Sequence, residues 1–287
     1  MRLLLCVAAV LLWMEGTPVQ GNDDGYTFQH KSPVVGEQWT NKVQFDMSLK
    51  TKYRYPGQET QQTISQDQQH QVRELTVLTV QPDYSTQVKV FFKKASRQTR
   101  TADQKDTEWL PQPVNGKTYV VRRAENELIV INQHGQVPPD NELTIVKQSM
   151  QSIGRPNPLA QFLTGRTIAI GETVQLPAEL ASSFLGSTQA TSQSKAVPMK
   201  LVNIRDIDGV SCGIFAAKIH NISQNGPRTS THMTGHLAVQ LNTCRTIYVS
   251  FRGPVTMRQT RMVANQEYTV EATGSLAVAM RTAKIQR

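Results

Sequence analysis

The dominant rhythm of this chain has a period of two. Over 43–55 the odd positions read Val43, Phe45, Met47, Leu49, Thr51, Tyr53 and Tyr55, while the even ones read Gln44, Asp46, Ser48, Lys50, Lys52 and Arg54. Successive side chains of a strand point to opposite faces, so this alternation predicts a long strand with one face buried. The stretch 268–280 does the same, with Tyr268, Val270, Ala272, Gly274, Leu276, Val278 and Met280 on one side. Ile247, Val249 and Phe251 alternate with Tyr248, Ser250 and Arg252. Further strands are expected over 72–81, 86–95, 117–123, 127–132, 199–207, 210–221 and 233–242. One-sided alternation points to antiparallel sheet, because parallel strands are usually covered on both faces. Pro82-Asp83, Asp208-Gly209 and Asn225-Gly226 are turn signals between strands and predict hairpin meanders.

Helical spacing is confined to the middle. Leu143, Val146, Met150 and Ile153 follow Pro138-Pro139-Asp140. Asp140 or Asn141 is the expected N-cap, Glu142 suits the positive end of the helix dipole, and Gly154 and Pro156 end the helix. A second short helix is expected over 177–185, with Pro177 near its first turn and Gly186 past its end. The stretches 57–71 and 186–195 are polar and read as mobile connections. Val35-Gly36-Glu37-Gln38-Trp39 resembles Ile170-Gly171-Glu172-Thr173-Val174. Either one β unit is duplicated, or a β-branched residue before Gly-Glu is simply a common way to begin a strand. The expected fold class is mainly β: a curved antiparallel sheet or half-barrel with one or two helices on a face. It forms a single β-rich domain over 22–287. If duplicated, its halves are 22–137 and 166–287, joined by the helical segment 138–165.

The N-terminus adds a destination. Met1-Arg2 precedes an apolar run over 3–13, and Val19-Gln20-Gly21 leads to Asn22. This reads as a signal peptide over 1–21, so the protein is expected to be exported to the periplasm, cell envelope or extracellular space. The run is shorter than the roughly 20 apolar residues needed to span a bilayer. Cys6 lies inside the run rather than at the cleavage point, which argues against a lipid anchor. The formal charge is +9, and loss of Arg2 and Glu15 with the leader leaves that excess unchanged. Cys212 and Cys244 remain, and an oxidising compartment favours a disulfide between them.

Candidate chemistry is sparse. His232 and His236 are four apart, but Met233 stands where a zinc protease carries its glutamate and no third ligand is evident, so no metal is expected. Asp206 and Asp208 lack the further oxygen ligands of a calcium loop and fit a hairpin turn. Ser192 and Lys195 match a bare serine-x-x-lysine spacing without its companion motifs. No catalytic residue and no cofactor are assigned, and the chain reads as a non-enzyme. Basic residues cluster: Lys50, Lys52, Arg54; Lys89, Lys93, Lys94, Arg97, Arg100; Arg245, Arg252, Arg258, Arg261. On strands, members of one parity share an outward face that is either simply solvated or able to contact an anionic envelope surface. Aromatic residues are 6% of the chain, too few to favour base stacking, and an exported protein rarely meets nucleic acid.

Long alternating strands, hairpin meanders and a central helical segment over about 34–282 resemble the lipoprotein-carrier half-barrel superfamily. Gly36-Glu37-Gln38-Trp39 is similar to strand starts in uncharacterised secreted bacterial β proteins. The resemblance implies a curved sheet wrapped around helices, holding acyl chains on its concave face. The expected function is therefore an exported, non-catalytic envelope protein binding an apolar or lipid ligand. Phe45, Met47, Leu49, Val88, Val90 and Phe92 are the candidate lining residues; ordinary sheet core is the other reading of the same side chains. The alternative function is a structural or surface-interaction protein using its basic face.

Overall fold

A computed structural model describes residues 25–55, 57–102, 107–180, 196–223, 228–263 and 266–285. In chain order the elements are β1 (Tyr26–Thr27), β2 (Gln38–Arg54), β3 (Gln61–Gln81), β4 (Tyr84–Thr101), β5 (Leu110–Pro111), β6 (Thr118–Ala124), β7 (Glu127–Asn132), α1 (Asp140–Ser149), α2 (Pro158–Leu163), β8 (Thr167–Ile168), β9 (Thr173–Leu176), β10 (Val197–Ile207), β11 (Val210–Ser223), β12 (Arg228–Gln240), β13 (Thr246–Val263) and β14 (Gln266–Lys284). One antiparallel sheet runs β7-β6-β4-β3-β2-β14-β13-β12-β11-β10-β9, with β5 added to β4; β1 and β8 form a separate pair. The sheet is curved but not closed into a barrel. Its longest strand, β3, has 21 residues and would span about 70 Å if fully extended.

The register fixes which side chains share a face. Phe45 lies opposite Val278, which lies opposite Phe251. Val43, Met280, Val249, Leu237, Phe215 and Leu201 follow one another across six strands. Leu75 links Trp39 on β2 to Val90 on β4. All these residues therefore face the same way, and both helices pack on that face. At one side, Val146 and Met150, in and just after α1, bury Val88, Val90, Phe92, Tyr119, Val121 and Val130. At the other, Leu159, Phe162 and Leu163 of α2 pack with Phe28, Ile168, Leu201, Phe215, Leu237 and Phe251. Between them Gly154 N donates to Ser85 O at the start of β4 and Asn157 Nδ2 to Cys244 O before β13. The opposite face carries Lys50, Lys52, Arg54, Arg252 and Arg258.

Four expectations need correction or extension. The stretch 57–71, read as a connection, belongs from Gln61 onward to β3. Its polar residues hid it: Gln68 and Gln66 donate across the ladder to the Asp46 carboxylate at 2.7 and 3.4 Å, so hydrogen bonds replace apolar alternation. Pro139, not Asp140 or Asn141, occupies the N-cap of α1, and no side chain caps it. Helix α2 went unanticipated, although Asn157 caps it by accepting from Leu159 N at 3.0 Å and Pro158 begins it. In the second expected helix, residues 178–180 are helical. The remainder, like 186–195, Ser192, Lys195, Asn225, Gly226 and the leader, lies outside the described residues.

The sequence repeat is also a repeat of structure. Gly36 N donates to Val77 O, Val77 N to Glu37 O, and Glu37 N to Val34 O. Gly171 N donates to Leu201 O, Leu201 N to Glu172 O, and Glu172 N to Ala169 O. Both glycines hold positive φ, 83° and 93°, where a side chain would be strained. Immediately afterwards β3 is irregular between Val77 and Thr79 and β10 between Leu201 and Asn203, so Leu78 and Val202 turn outward at matching places.

Candidate functional site

Beyond the helical segment, towards the β13–β14 turn, the apolar face continues without cover. Val43, Phe45, Met47 and Leu49 on β2 and Leu276 and Val278 on β14 belong to none of the buried clusters and are half-buried. No described helix or loop packs on them. From Val43 to Leu49 the row measures about 20 Å. Val255, Val270 and Ala272 flank it and are buried among neighbouring strands. Of the six residues expected to line a ligand site, Phe45, Met47 and Leu49 lie on this open row. Val88, Val90 and Phe92 lie in the core beneath α1, where Phe92 is 0% exposed and meets Tyr119 edge-on at 5.9 Å. The structure does not bring the two trios together.

Three glycines shape this part of the sheet. An added Cβ at Gly235 would lie 1.9 Å from Ser250 O, at Gly253 1.8 Å from His232 O, and at Gly274 1.8 Å from Ser48 O. Each is one strand and one register step from the next, since Gly235 faces Phe251, Gly253 faces Leu276 and Gly274 faces Leu49. All belong to the apolar face. On the inner side of a bend Cβ positions converge, and glycine removes the obstacle. Together with Pro254, which has no N–H for the ladder, they mark a diagonal of close strand approach across the apolar face, and the uncovered row beside it is the trough.

One wall of the trough is polar. Asp67 on β3 accepts from Arg97 at 2.7 and 2.9 Å, and Gln71 donates to Gln112 at 2.9 Å. The inner end is closed by α1, which is pinned by its first turn. Tyr119 Oη and Lys117 Nζ each donate to the Glu142 carboxylate at 2.6 Å. Burial works to raise the Glu142 pKa, but the bonds from Lys117 and Tyr119 outweigh it and hold the carboxyl below its ordinary range. Burial, with help from Glu142, pushes the Tyr119 phenol far up.

The larger cavities lie elsewhere. One of about 870 Å³ opens at the start of β2, bordered by Val35, Trp39, Asp208 and Lys284. Its charges are satisfied internally: Arg245 lies 3.5 Å from the Trp39 ring centroid and bonds to Glu37 at 3.2 Å, while Lys284 reaches Glu37 at 3.5 Å. A second, of about 590 Å³, lies on the outer face between Val72, Lys94 and Trp109.

The remaining candidates are dispersed. Cys212 and Cys244 are free thiols, not a disulfide. Cys212 packs with Ala238 and Ile247 on the outer face, whereas Cys244 sits in the α2 cluster on the inner one, so the sheet separates them. Burial, helped by Asp206 and Asp208, pushes the Cys212 thiol up to about 12, which leaves it unreactive. His232 stacks on His220 with ring centroids 3.8 Å apart, and His236 stands exposed further along β12. No group of three metal-ligating side chains occurs among the described residues. Asp208, at the β10–β11 turn, accepts from Arg281 at 2.8 Å. Of the basic clusters, Arg97 turns to the inner face and pairs with Asp67, while Arg54 and Arg258 share Glu271 on the outer face.

No protein-family model and no curated protein matches the chain. Among solved structures, one describing lipid–protein interactions in lipovitellin aligns with a TM-score of 0.38 and 6% identity over 88% of this chain, which spans 26% of that one. A DUF1329 family protein from Desulfovibrio piger aligns at a TM-score of 0.17 with 8% identity, over 84% of this chain and 83% of its own. DynF from the dynemicin biosynthesis pathway of Micromonospora chersina gives a TM-score of 0.20 and 10% identity over 95% and 94%. Likenesses of this strength assign no family.

Proposed function

We propose that the chain is an exported, non-catalytic binding protein that holds an apolar ligand, such as a lipid acyl chain, in the trough. The observation that carries this reading is the open row from Val43 to Leu49. It continues the face that α1 and α2 bury on either side, yet no described element covers it. A half-buried apolar row of that length, continuous with the core face, suits an apolar ligand. Neither thiol is activated, and the buried Glu142 carboxylate is held in a structural pairing with Lys117 and Tyr119. The test is native mass spectrometry of protein purified from its own source, followed by titration with an environment-sensitive apolar dye. A retained lipid-like mass and saturable dye binding are expected. Absence of both ends the proposal.

A second reading is favoured by the outer face near the same mouth. Lys50, Lys52, Arg54, Arg228 and Arg258 stand on adjoining strands there around Glu271. In this reading the face contacts an anionic envelope surface. Retention on anionic but not neutral vesicles, lost at high salt, is the expected result; equal retention on both excludes it.

A further inference from the structure

The trough has a polar inner end that no described residue completes. Arg73, on β3, faces Asn41 across the β2 ladder and Phe92 across the β4 ladder. It therefore points to the inner face, one register step inward from Val43. Its residue is 6% exposed. Nη1 donates to Ser149 O at the C-terminus of α1, at 2.9 Å. Nε has no partner, and neither does Oδ1 of the facing Asn41; both atoms are buried. Thr282, opposite Asn41 on β14, is also buried. Two orphaned polar atoms on directly facing residues are uncommon in a folded protein and call for an occupant.

The charge points the same way. Burial lowers the Arg73 pKa to about 10, and no carboxylate among the described residues offsets it. The other carboxylates of the same strand are engaged elsewhere, Glu74 by Lys93 at 3.1 Å and Asp67 by Arg97 at 2.7 Å. The carbonyl at the end of α1 supplies only the partial negative charge of a helix terminus. A guanidinium presents five donors in a planar fork suited to a carboxylate, and one Arg73 bond leaves that fork mostly open. Turning the Asn41 amide over would aim its Nδ2 donor where the unpartnered Oδ1 now points, on the residue that faces Arg73.

We propose that Arg73 and Asn41 anchor the carboxylate of a long-chain fatty acid whose tail lies along Val43, Phe45, Met47 and Leu49. This rests on the trough being a ligand site and adds the ligand's class and orientation: head inward against α1, tail towards the β13–β14 end. The anion accepts from Arg73 Nε and Asn41 Nδ2, and the apolar row removes the chain from water. A neutral lipid of equal length gains the second contribution without the first.

The experiment compares a long-chain fatty acid with the fatty alcohol of the same length, by displacement of an apolar dye at about pH 8, where a carboxylic acid is ionised. The wild-type protein is expected to bind the acid about tenfold or more tightly than the alcohol, the worth of a charge-assisted hydrogen bond. Arg73→Met should abolish the difference while alcohol binding persists. Arg73→Lys, which keeps a cation, should retain part of it, and Asn41→Leu should reduce it. Arg73 also caps α1, so Arg73→Met is expected to lower stability; a purely structural role would not alter the ratio of acid to alcohol binding. Equal binding of both ligands by the wild type overturns the anchor and leaves the trough. Selectivity that survives Arg73→Met overturns it as well. Failure of both ligands to bind removes the trough reading and the anchor together.

Discussion

Phe45 and Phe92 occupy equivalent-looking places in two alternating segments, yet the structure gives them different work. Phe92→Ala removes a ring that is 0% exposed and packed edge-on against Tyr119. Deleting such a side chain costs about 3–5 kcal/mol, because α1 and three strands cannot collapse into the space. For a domain of this size that corresponds to a fall in Tm of about 6–20 °C. Phe45→Ala removes a ring that is half-buried and supported from the sheet side only. Taking half of the roughly 2 kcal/mol that full burial of a phenylalanine contributes, the cost is about 1 kcal/mol, or about 2–4 °C. Binding should reverse the order. Phe45→Ala should weaken an apolar ligand about fivefold, the equivalent of about 1 kcal/mol. Phe92→Ala, assayed well below its lowered Tm, should leave affinity unchanged. Thermal unfolding and dye titration on the same preparations give both numbers. If Phe45→Ala destabilises the protein as much as Phe92→Ala and leaves dye binding intact, the row from Val43 to Leu49 is ordinary core and the trough reading is wrong.

Other outcomes follow from the same geometry. Glu142→Gln should cost about 1–3 kcal/mol at neutral pH. Because the Glu142 pKa is depressed in the folded state, its stabilisation is present above the unfolded value of about 4.3 and is lost as pH falls through the folded value. The gap between wild type and variant in urea unfolding should close in acid; an unchanged gap refutes the pairing. Gly253→Ala must push two strands apart, since its Cβ would lie 1.8 Å from His232 O, and should cost about 1–3 kcal/mol and weaken dye binding. Gly116→Ala, with φ +74° and no atom within 4 Å, should cost backbone strain alone and spare binding. Equal dye binding by the two variants would detach the glycine diagonal from the trough. Unfolding without reductant should release two titratable thiols, whereas none would restore the disulfide.

The strands were legible because the sheet has a wet face and a dry one, and two-residue alternation records that difference directly. β2, β13 and β14 show it along much of their length. The first half of β3 does not: Gln66 and Gln68 face the Asp46 carboxylate, and a strand held by polar side chains leaves no apolar signature. Helix α2 is too short for helical periodicity, and only Asn157-Pro158 marked its start. The cysteines misled for a geometric reason. Cys212 takes the outer parity of β11, while Cys244 sits at positive φ after the β12 strand and drops into the inner core, so proximity in the fold did not bring the sulfurs to one side. Arg73 lies within an otherwise half-apolar stretch, where a single cation in a strand reads as outward-facing until its register is known.

Alternation says which side chains leave water; it does not say what meets them. That distinction separates the six candidate residues. One helix covers the strands on each side of the sheet, α1 over β4, β6 and β7, and α2 over β10 to β12. The first and last long strands, β2 and β14, then pair along the junction, from Arg54 opposite Thr269 to Trp39 opposite Lys284. The segment between the helices bonds to Ser85 and Cys244, at the Trp39 end of this junction. The far part of the seam keeps the dry parity of the strands on both sides and belongs to neither helix's cluster. The glycines at 235, 253 and 274 bring the strands close together beside that same place. A binding surface at the seam therefore requires no departure from the pattern that builds the core: the same phenylalanine, methionine and leucine are core under a helix and floor without one.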